Sequence, residues 1–283
     1  MASEDALSVD ISRSVTVALA EDLGTGDISA ELIDPHDVAS ATVITRQDGV
    51  FCVRAWADEV LTQVDPAIRS RWHVSDGDHI HAEQRLLDLT GPSRGLLTAE
   101  RNLLNFLQLL SGTATLTASY VEAIAEYPTT ILDTRKTIPG LRLAQKYAVR
   151  CGGARNHRLG LYDAFLIKEN HIAAIGSISA AIAQARAIAS DRPVRVEVEI
   201  EVETEAQLLE ALAAEADVIM LDNFDLASMS RAVEQTAGRA RLEASGGITL
   251  GNLAAIAATG VDYISVGEIT KQIIPLDLSM RFA

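Results

Sequence analysis

The chain has 283 residues, 48% of them apolar and 22% charged, and its 24 Lys plus Arg against 39 Asp plus Glu leave a net charge of −15. This is enough chain for one large or two modest folded domains, and the composition excludes a disordered or fibrous protein. The acidity excludes the basic footprint that nucleic acid requires and disfavours an anionic membrane surface.

Residues 1–10 are acidic and carry no apolar run, so no signal peptide is expected there. No stretch reaches the ~18 consecutive apolar residues of a membrane span. Cys52 and Cys151 have no Cys-x-x-Cys spacing. They predict neither a zinc site nor a disulfide framework, and they fit a reducing, cytoplasmic setting. Residues 39–46 are β-prone, Asp48-Gly49 signals a turn and residues 50–53 resume the strand, which predicts a hairpin. Short apolar stretches follow over residues 72–89, punctuated by Asp76-Gly77. Leu103, Leu104, Leu107 and Leu110 then predict a helix over residues 98–110, with Arg101 in its first turns.

From about residue 129 short β-branched runs alternate with Ala-rich helical patterns. The runs are 130–133, 164–167, 194–202, 218–221, 241–244 and 263–266, and helices are predicted over 177–189 and 250–258. Such alternation implies parallel strands joined by right-handed crossovers. A complete eight-unit barrel takes roughly 250 residues. The shorter stretch here predicts a compact (βα) barrel of about six to seven strands, with an open doubly wound sheet as the rival.

The net charge is unevenly spread. Residues 131–171 contain three of the four lysines (Lys136, Lys146, Lys168) and five arginines (Arg135, Arg142, Arg150, Arg155, Arg158) against Asp133, Asp163 and Glu169, a local 8 − 3 = +5. An acidic chain that concentrates cations in one segment is suited to a small, multiply charged anion. Ligands of parallel sheets bind beyond the carboxyl ends of strands, and all six predicted ends are polar, charged or glycine. Strand three places Glu197, Glu199, Glu201 and Glu203 on one face by its period of two. That face is either an exposed acidic edge or a carboxylate ladder needing cations or a hard metal ion. Ser245-Gly246-Gly247 after strand five and Gly267 after strand six could cradle a phosphate with backbone N–H groups. Arg135-Lys136, His157-Arg158 and Lys168 could converge as an anion clamp.

Several stretches carry a resemblance: Thr134-Arg135-Lys136-Thr137 with Pro139-Gly140-Leu141-Arg142, Asn156-His157-Arg158, and Leu166-Ile167-Lys168-Glu169-Asn170-His171. Leu221-Asp222-Asn223-Phe224 and Glu243-Ala244-Ser245-Gly246-Gly247-Ile248 extend it, as do Glu21-Asp22-Leu23-Gly24, Gly26-Asp27 and Glu100-Arg101-Asn102 upstream. In this order, over nearly the whole chain, they resemble the quinolinate phosphoribosyltransferase (decarboxylating) family. Ala154, where a third glycine often follows Gly152-Gly153, is a minor departure.

The resemblance implies an N-terminal α/β sandwich (residues 1–112, joined by the tail 275–283) and a C-terminal α/β barrel (113–274). It implies transfer of a phosphoribosyl group from 5-phosphoribosyl 1-pyrophosphate to quinolinate with Mg²⁺, giving nicotinate mononucleotide, pyrophosphate and CO₂ in de novo NAD synthesis. It also implies a homodimer in which the partner subunit's Arg101 completes each site. Arg135, Lys136, His157, Arg158 and Lys168 would then bind quinolinate. Glu201 and Asp222 would meet ribose and Mg²⁺, and Ser245, Gly246, Gly247 and Gly267 would hold the 5-phosphate. Lys136, Glu201 and Asp222 are the expected catalytic residues. Which glutamate of the ladder occupies the functional place is open, the 21-residue separation from Asp222 favouring Glu201. No organic cofactor is implied, in keeping with the lack of a Rossmann glycine fingerprint. Nicotinate phosphoribosyltransferase, a molybdenum-transport-associated relative and a non-catalytic anion-binding regulatory module are the alternatives.

Overall fold

A computed structural model describes residues 4–282; Met1 to Ser3 of the acidic N-terminal segment and Ala283 of the tail lie outside the described residues. By their contacts the residues form two units, each built from separate stretches of chain. One takes residues 1–118, 137–153 and 269–283; the other takes 119–136 and 154–268.

The first unit is organised on an antiparallel sheet of order β12-β1-β5-β3, formed by β1 (Val38–Thr45), β3 (Arg69–Trp72), β5 (Arg85–Pro92) and β12 (Leu278–Phe282). Alternation along β1 buries Ala41, Val43 and Thr45, the period expected of a strand with one face in a core. That core also takes Trp56 from α2 (Arg54–Val64), Val15 from α1 (Glu4–Leu23), and Leu103, Leu107 and Leu110 from α3 (Ser93–Glu122). Ala144 and Ala148 of α4 (Arg142–Cys151) complete it.

Two expectations are corrected in this unit. The hairpin over residues 39–53 does not form. β1 pairs with β12 and β5, whereas β2 (Gly49–Val50) pairs with β4 (His79–Ile80). The segment after Val50 turns inward instead: Phe51, Cys52 and Val53 are fully buried, and Val53, with φ 72°, bends the chain into α2. The predicted helix over 98–110 is the middle of a much longer one. The Ser/Gly/Thr-rich stretch after Leu110 reads as a weak helix former. Thr113, Thr115 and Thr117 nevertheless stay helical, each hydroxyl donating to the carbonyl four residues earlier.

The second unit holds six parallel strands: β6 (Thr130–Leu132), β7 (Phe165–Ile167), β8 (Val198–Val202), β9 (Val218–Asp222), β10 (Arg241–Ser245) and β11 (Tyr263–Ser265). Their order is β6-β11-β10-β9-β8-β7. The first two strands therefore stand at opposite ends of the sheet. Between them, among the described residues, only a bridge from Leu132 to Arg155 extends β6 toward the chain that leads into β7. The helices α5 (Glu169–Ile175), α6 (Ile178–Ser190), α7 (Glu205–Ala213), α8 (Leu226–Thr236) and α9 (Leu253–Ala257) alternate with these strands.

The six runs read from sequence are thus strands. Two boundaries move by three residues or more: residues 194–197 precede β8, and the last helix starts at Leu253, not at Leu250. Asn252 explains the later start. Its side chain accepts from Thr249 N–H (2.8 Å) and donates to Gly247 O (3.0 Å), holding the turn in a non-helical form. Among the described residues no single helix is long and apolar enough to cross a membrane.

Candidate active site

Of the site residues proposed from sequence, Arg135, Lys136, Lys168, Glu201, Asp222, Ser245, Gly246, Gly247 and Gly267 stand at or just past the carboxyl end of a strand, His157 and Arg158 precede β7, and Arg101 lies on α3. Asp133, just past β6, is fully buried. Its Oδ1 accepts from His157 N–H (2.9 Å) and its Oδ2 from Asn156 Nδ2 (2.7 Å), so one side chain fixes the segment carrying His157 and Arg158. Arg135 and Lys136 follow it, Lys136 exposed, with its N–H on Thr134 Oγ1 (3.1 Å).

Arg135 and Arg158 each keep a buried Nε without a hydrogen-bond partner among the described residues. Burial, then the neighbouring Arg135, push the Arg158 guanidinium below its usual range, while Glu199 and Asp163 pull it back up. Two guanidiniums that repel each other and retain buried unpaired donors are matched by an anion with two charged groups.

The four glutamates share a face, as the alternation predicts, but not an environment. Glu197, before β8, is exposed and pairs with Arg241, which also bonds Tyr263 Oη (3.0 Å). Glu199 is buried, its Oε2 2.8 Å from His157 Nε2. Glu201 pairs with Lys168 at the head of α5. Glu203 lies past the strand and is exposed. An isolated acidic ladder would be repulsive. Here each of the first three steps has its own cation or histidine.

Asp222 ends β9, its Oδ2 accepting from Asn223 Nδ2 (2.8 Å). Asn223, at φ 57°, turns back so that its N–H reaches Ser245 O (3.1 Å). Gly246 (φ 96°) and Gly247 (φ 59°) follow Ser245 in left-handed conformations. A Cβ on Gly246 would come within 2.2 Å of Asn223 Oδ1. Glycine is therefore required at this position by both backbone conformation and close approach. Gly267 lies in the bend after β11.

Arg101 lies in the first unit, exposed on α3, beside a cavity of about 380 Å³ that Arg13, Glu21, Asn105, Pro139 and Leu141 also line.

Sequence reading did not single out the group His157–Glu199–Glu243. Glu243 Oε2 lies 3.7 Å from His157 Nε2, and the carboxyl is 1% exposed. Its signal was available. Arg241, Glu243 and Ser245 alternate on β10 as Glu197, Glu199 and Glu201 do on strand three, which places two polar faces in register inside one sheet.

Six parallel strands ending in paired cations, carboxylates and a glycine turn define an α/β protein built to hold small, multiply charged anions. The chain belongs to the quinolinate phosphoribosyl transferase family: the pattern of that family's N-terminal domain matches residues 27–111 and that of its C-terminal domain residues 113–281. It is 45% identical over 260 residues (92% of this chain, 89% of the relative) to the probable nicotinate-nucleotide pyrophosphorylase (carboxylating) of Bacillus subtilis. It is 37% identical over 289 residues (96% and 82%) to quinolinate phosphoribosyltransferase (decarboxylating) 1b of Nicotiana tabacum. The solved nicotinate-nucleotide pyrophosphorylase from Francisella tularensis superposes with a TM-score of 0.93 at 48% identity, covering 98% of this chain and 97% of that one.

Proposed function

We propose that this chain is a quinolinate phosphoribosyltransferase that decarboxylates its product, joining quinolinate to 5-phosphoribosyl 1-pyrophosphate in de novo NAD synthesis. The observation that carries the reading is the Arg135–Arg158 pair, whose buried, unpartnered Nε groups suit the two adjacent carboxylates of quinolinate. Arg135, Arg158, Lys168 and the partner's Arg101 clamp that dianion, with Lys136 and His157 beside it. Ser245, Gly246, Gly247 and Gly267 take the 5-phosphate through backbone N–H groups.

Attack of the ring nitrogen on the anomeric carbon expels pyrophosphate. The ribose gains oxocarbenium character, which nearby carboxylates Glu201 and Asp222 stabilise. The positive pyridinium nitrogen so formed stabilises the carbanion left on the adjacent ring carbon when its carboxylate departs as CO₂, and that carbon then takes up a proton from solvent, so no organic cofactor is needed.

Glu201 and Asp222 also offer the hard oxygen donors that Mg²⁺ prefers, with Lys168 paired to Glu201 Oε2. Bound there, Mg²⁺ would neutralise pyrophosphate charge. The working unit is read as a homodimer with shared sites. Two free thiols, Cys52 and Cys151, favour the cytoplasm.

The deciding assay mixes protein, quinolinate, phosphoribosyl pyrophosphate and Mg²⁺ and measures CO₂ and nicotinate mononucleotide, with nicotinate in place of quinolinate as the control. Stoichiometric CO₂ from quinolinate and none from nicotinate is expected. Absence of product from quinolinate at every metal concentration rejects the reading.

A further inference from the structure

We propose that Glu199 and Glu243 are positioning residues for the reaction, fixing His157 and through it Arg158 from inside the sheet; this rests on the substrate reading above. The segment is held at two levels. Asp133 holds its backbone, as described. The His157 ring is oriented by its two nitrogens. Nδ1 accepts from the Arg158 N–H (2.7 Å), so in the neutral imidazole the proton sits on Nε2. That Nε2 lies 2.8 Å from Glu199 Oε2 and 3.7 Å from Glu243 Oε2.

Both carboxyls are nearly fully buried, and the Oε1 atom of each has no hydrogen-bond partner among the described residues. Two adjacent buried carboxyls do not both ionise readily. Burial first, then the Glu199 charge, push Glu243 up to about 8, against the opposing pull of His157 and Ser265. Burial beside Glu199 thus favours the neutral form of Glu243. Glu199 stands within ion-pair distance of Nε2, nearer than Glu243, and its charge supports the Arg158 guanidinium against the repulsion of Arg135.

The same three donor atoms lie within 4.8 Å of one another, a spacing that would also suit a metal ion. The accepting role of Nδ1 argues against one. A metal on Nε2 would require the ring proton on Nδ1 and cost the bond that Nδ1 accepts from Arg158 N–H.

The test compares Glu199→Gln, Glu243→Gln and Glu243→Leu by steady-state kinetics in both substrates. It adds ¹⁵N NMR of the His157 ring in substrate-free protein. Glu199→Gln and Glu243→Leu should raise KM for quinolinate tenfold or more and change KM for phosphoribosyl pyrophosphate less than twofold. Glu243→Gln, a neutral isostere, should recover most of the loss seen in Glu243→Leu. The NMR should find the proton on Nε2 in wild type and Glu243→Gln.

Unchanged quinolinate KM in the folded Glu199→Gln and Glu243→Leu proteins would overturn the proposal. So would equal impairment in Glu243→Gln and Glu243→Leu, a proton on Nδ1, or a stoichiometric bound metal lost in Glu199→Gln. Wild-type protein inactive on quinolinate would instead sink the substrate reading, and the ring tautomer would still decide the positioning network.

Discussion

At Glu243 burial changes the chemistry of a single side chain. It pushes the carboxyl up to about 8 from an ordinary 4.5. Between those values the unfolded chain has lost its proton while the native state keeps it, so stability is greatest below about 4.5 and falls as pH rises toward 8. Glu243→Gln removes that titration. Chemical denaturation should show a flatter stability profile from pH 5 to 8 for the variant, with a gain at pH 8 on the order of a few kcal/mol; parallel profiles would show that Glu243 is ionised in the native state. Lys136→Ala and Arg158→Ala belong to the same scale. Turnover should drop by orders of magnitude with circular dichroism unchanged, and near-wild-type kinetics in either would remove the cation clamp. The identities of these cations were legible in sequence because charges clustered against an opposite background. The alternation that carries Glu243 was visible too, but whether it faced solvent or the interior depends on cross-sheet neighbours that local sequence does not report.

At the scale of elements, two glycines carry distinct roles. Gly246 sits in the turn after β10, where Gly246→Ala would drive a methyl into Asn223. The variant should raise KM for phosphoribosyl pyrophosphate at least tenfold while the fold survives; an unchanged KM would take the phosphate away from this turn. Gly152 ends α4, and a Cβ there would lie 2.4 Å from Ala114 O on α3. Backbone cannot yield as a flexible side chain can, so Gly152→Ala should cost about 1–3 kcal/mol of stability, read as a lowered denaturation midpoint. The six parallel strands were legible because each is a short β-branched run closed by a polar residue, and local pattern suffices for that. The hairpin failed because the partner of β1 on one edge is β12, more than 230 positions away, and no local turn signal reports so distant a pairing. The membership of α4 in the first unit was not legible, since Ala144 and Ala148 look the same whichever core receives them.

For the whole molecule the relevant quantity is the division of charge, +5 over residues 131–171 within a total of −15. These cations divide between the units, Arg142, Lys146 and Arg150 in the first and Arg135, Lys136, Arg155, Arg158 and Lys168 in the second; cations set on an acidic body attract small anions at short range and lose that advantage as salt screens them. KM for both substrates should therefore climb between 0.05 and 0.5 M KCl (roughly threefold or more) with kcat little changed; a flat response would argue that shape alone recruits them. The homodimer reading has its own test. Arg101→Ala and Lys136→Ala proteins, each inactive, should regain up to about a quarter of wild-type activity when subunits exchange, because half of the mixed population carries one site with both residues intact. No regain would mean that each site is complete within one chain.

β1 is flanked by β5 on one side and by β12 on the other, and β12 is supplied by residues 278–282. During synthesis β1 must wait for residues 278–282, made more than 230 positions later, before its outer edge is paired. Until then it presents an open row of backbone donors and acceptors. Removal of residues 278–282 should therefore harm the unit that β1 belongs to, far back along the chain.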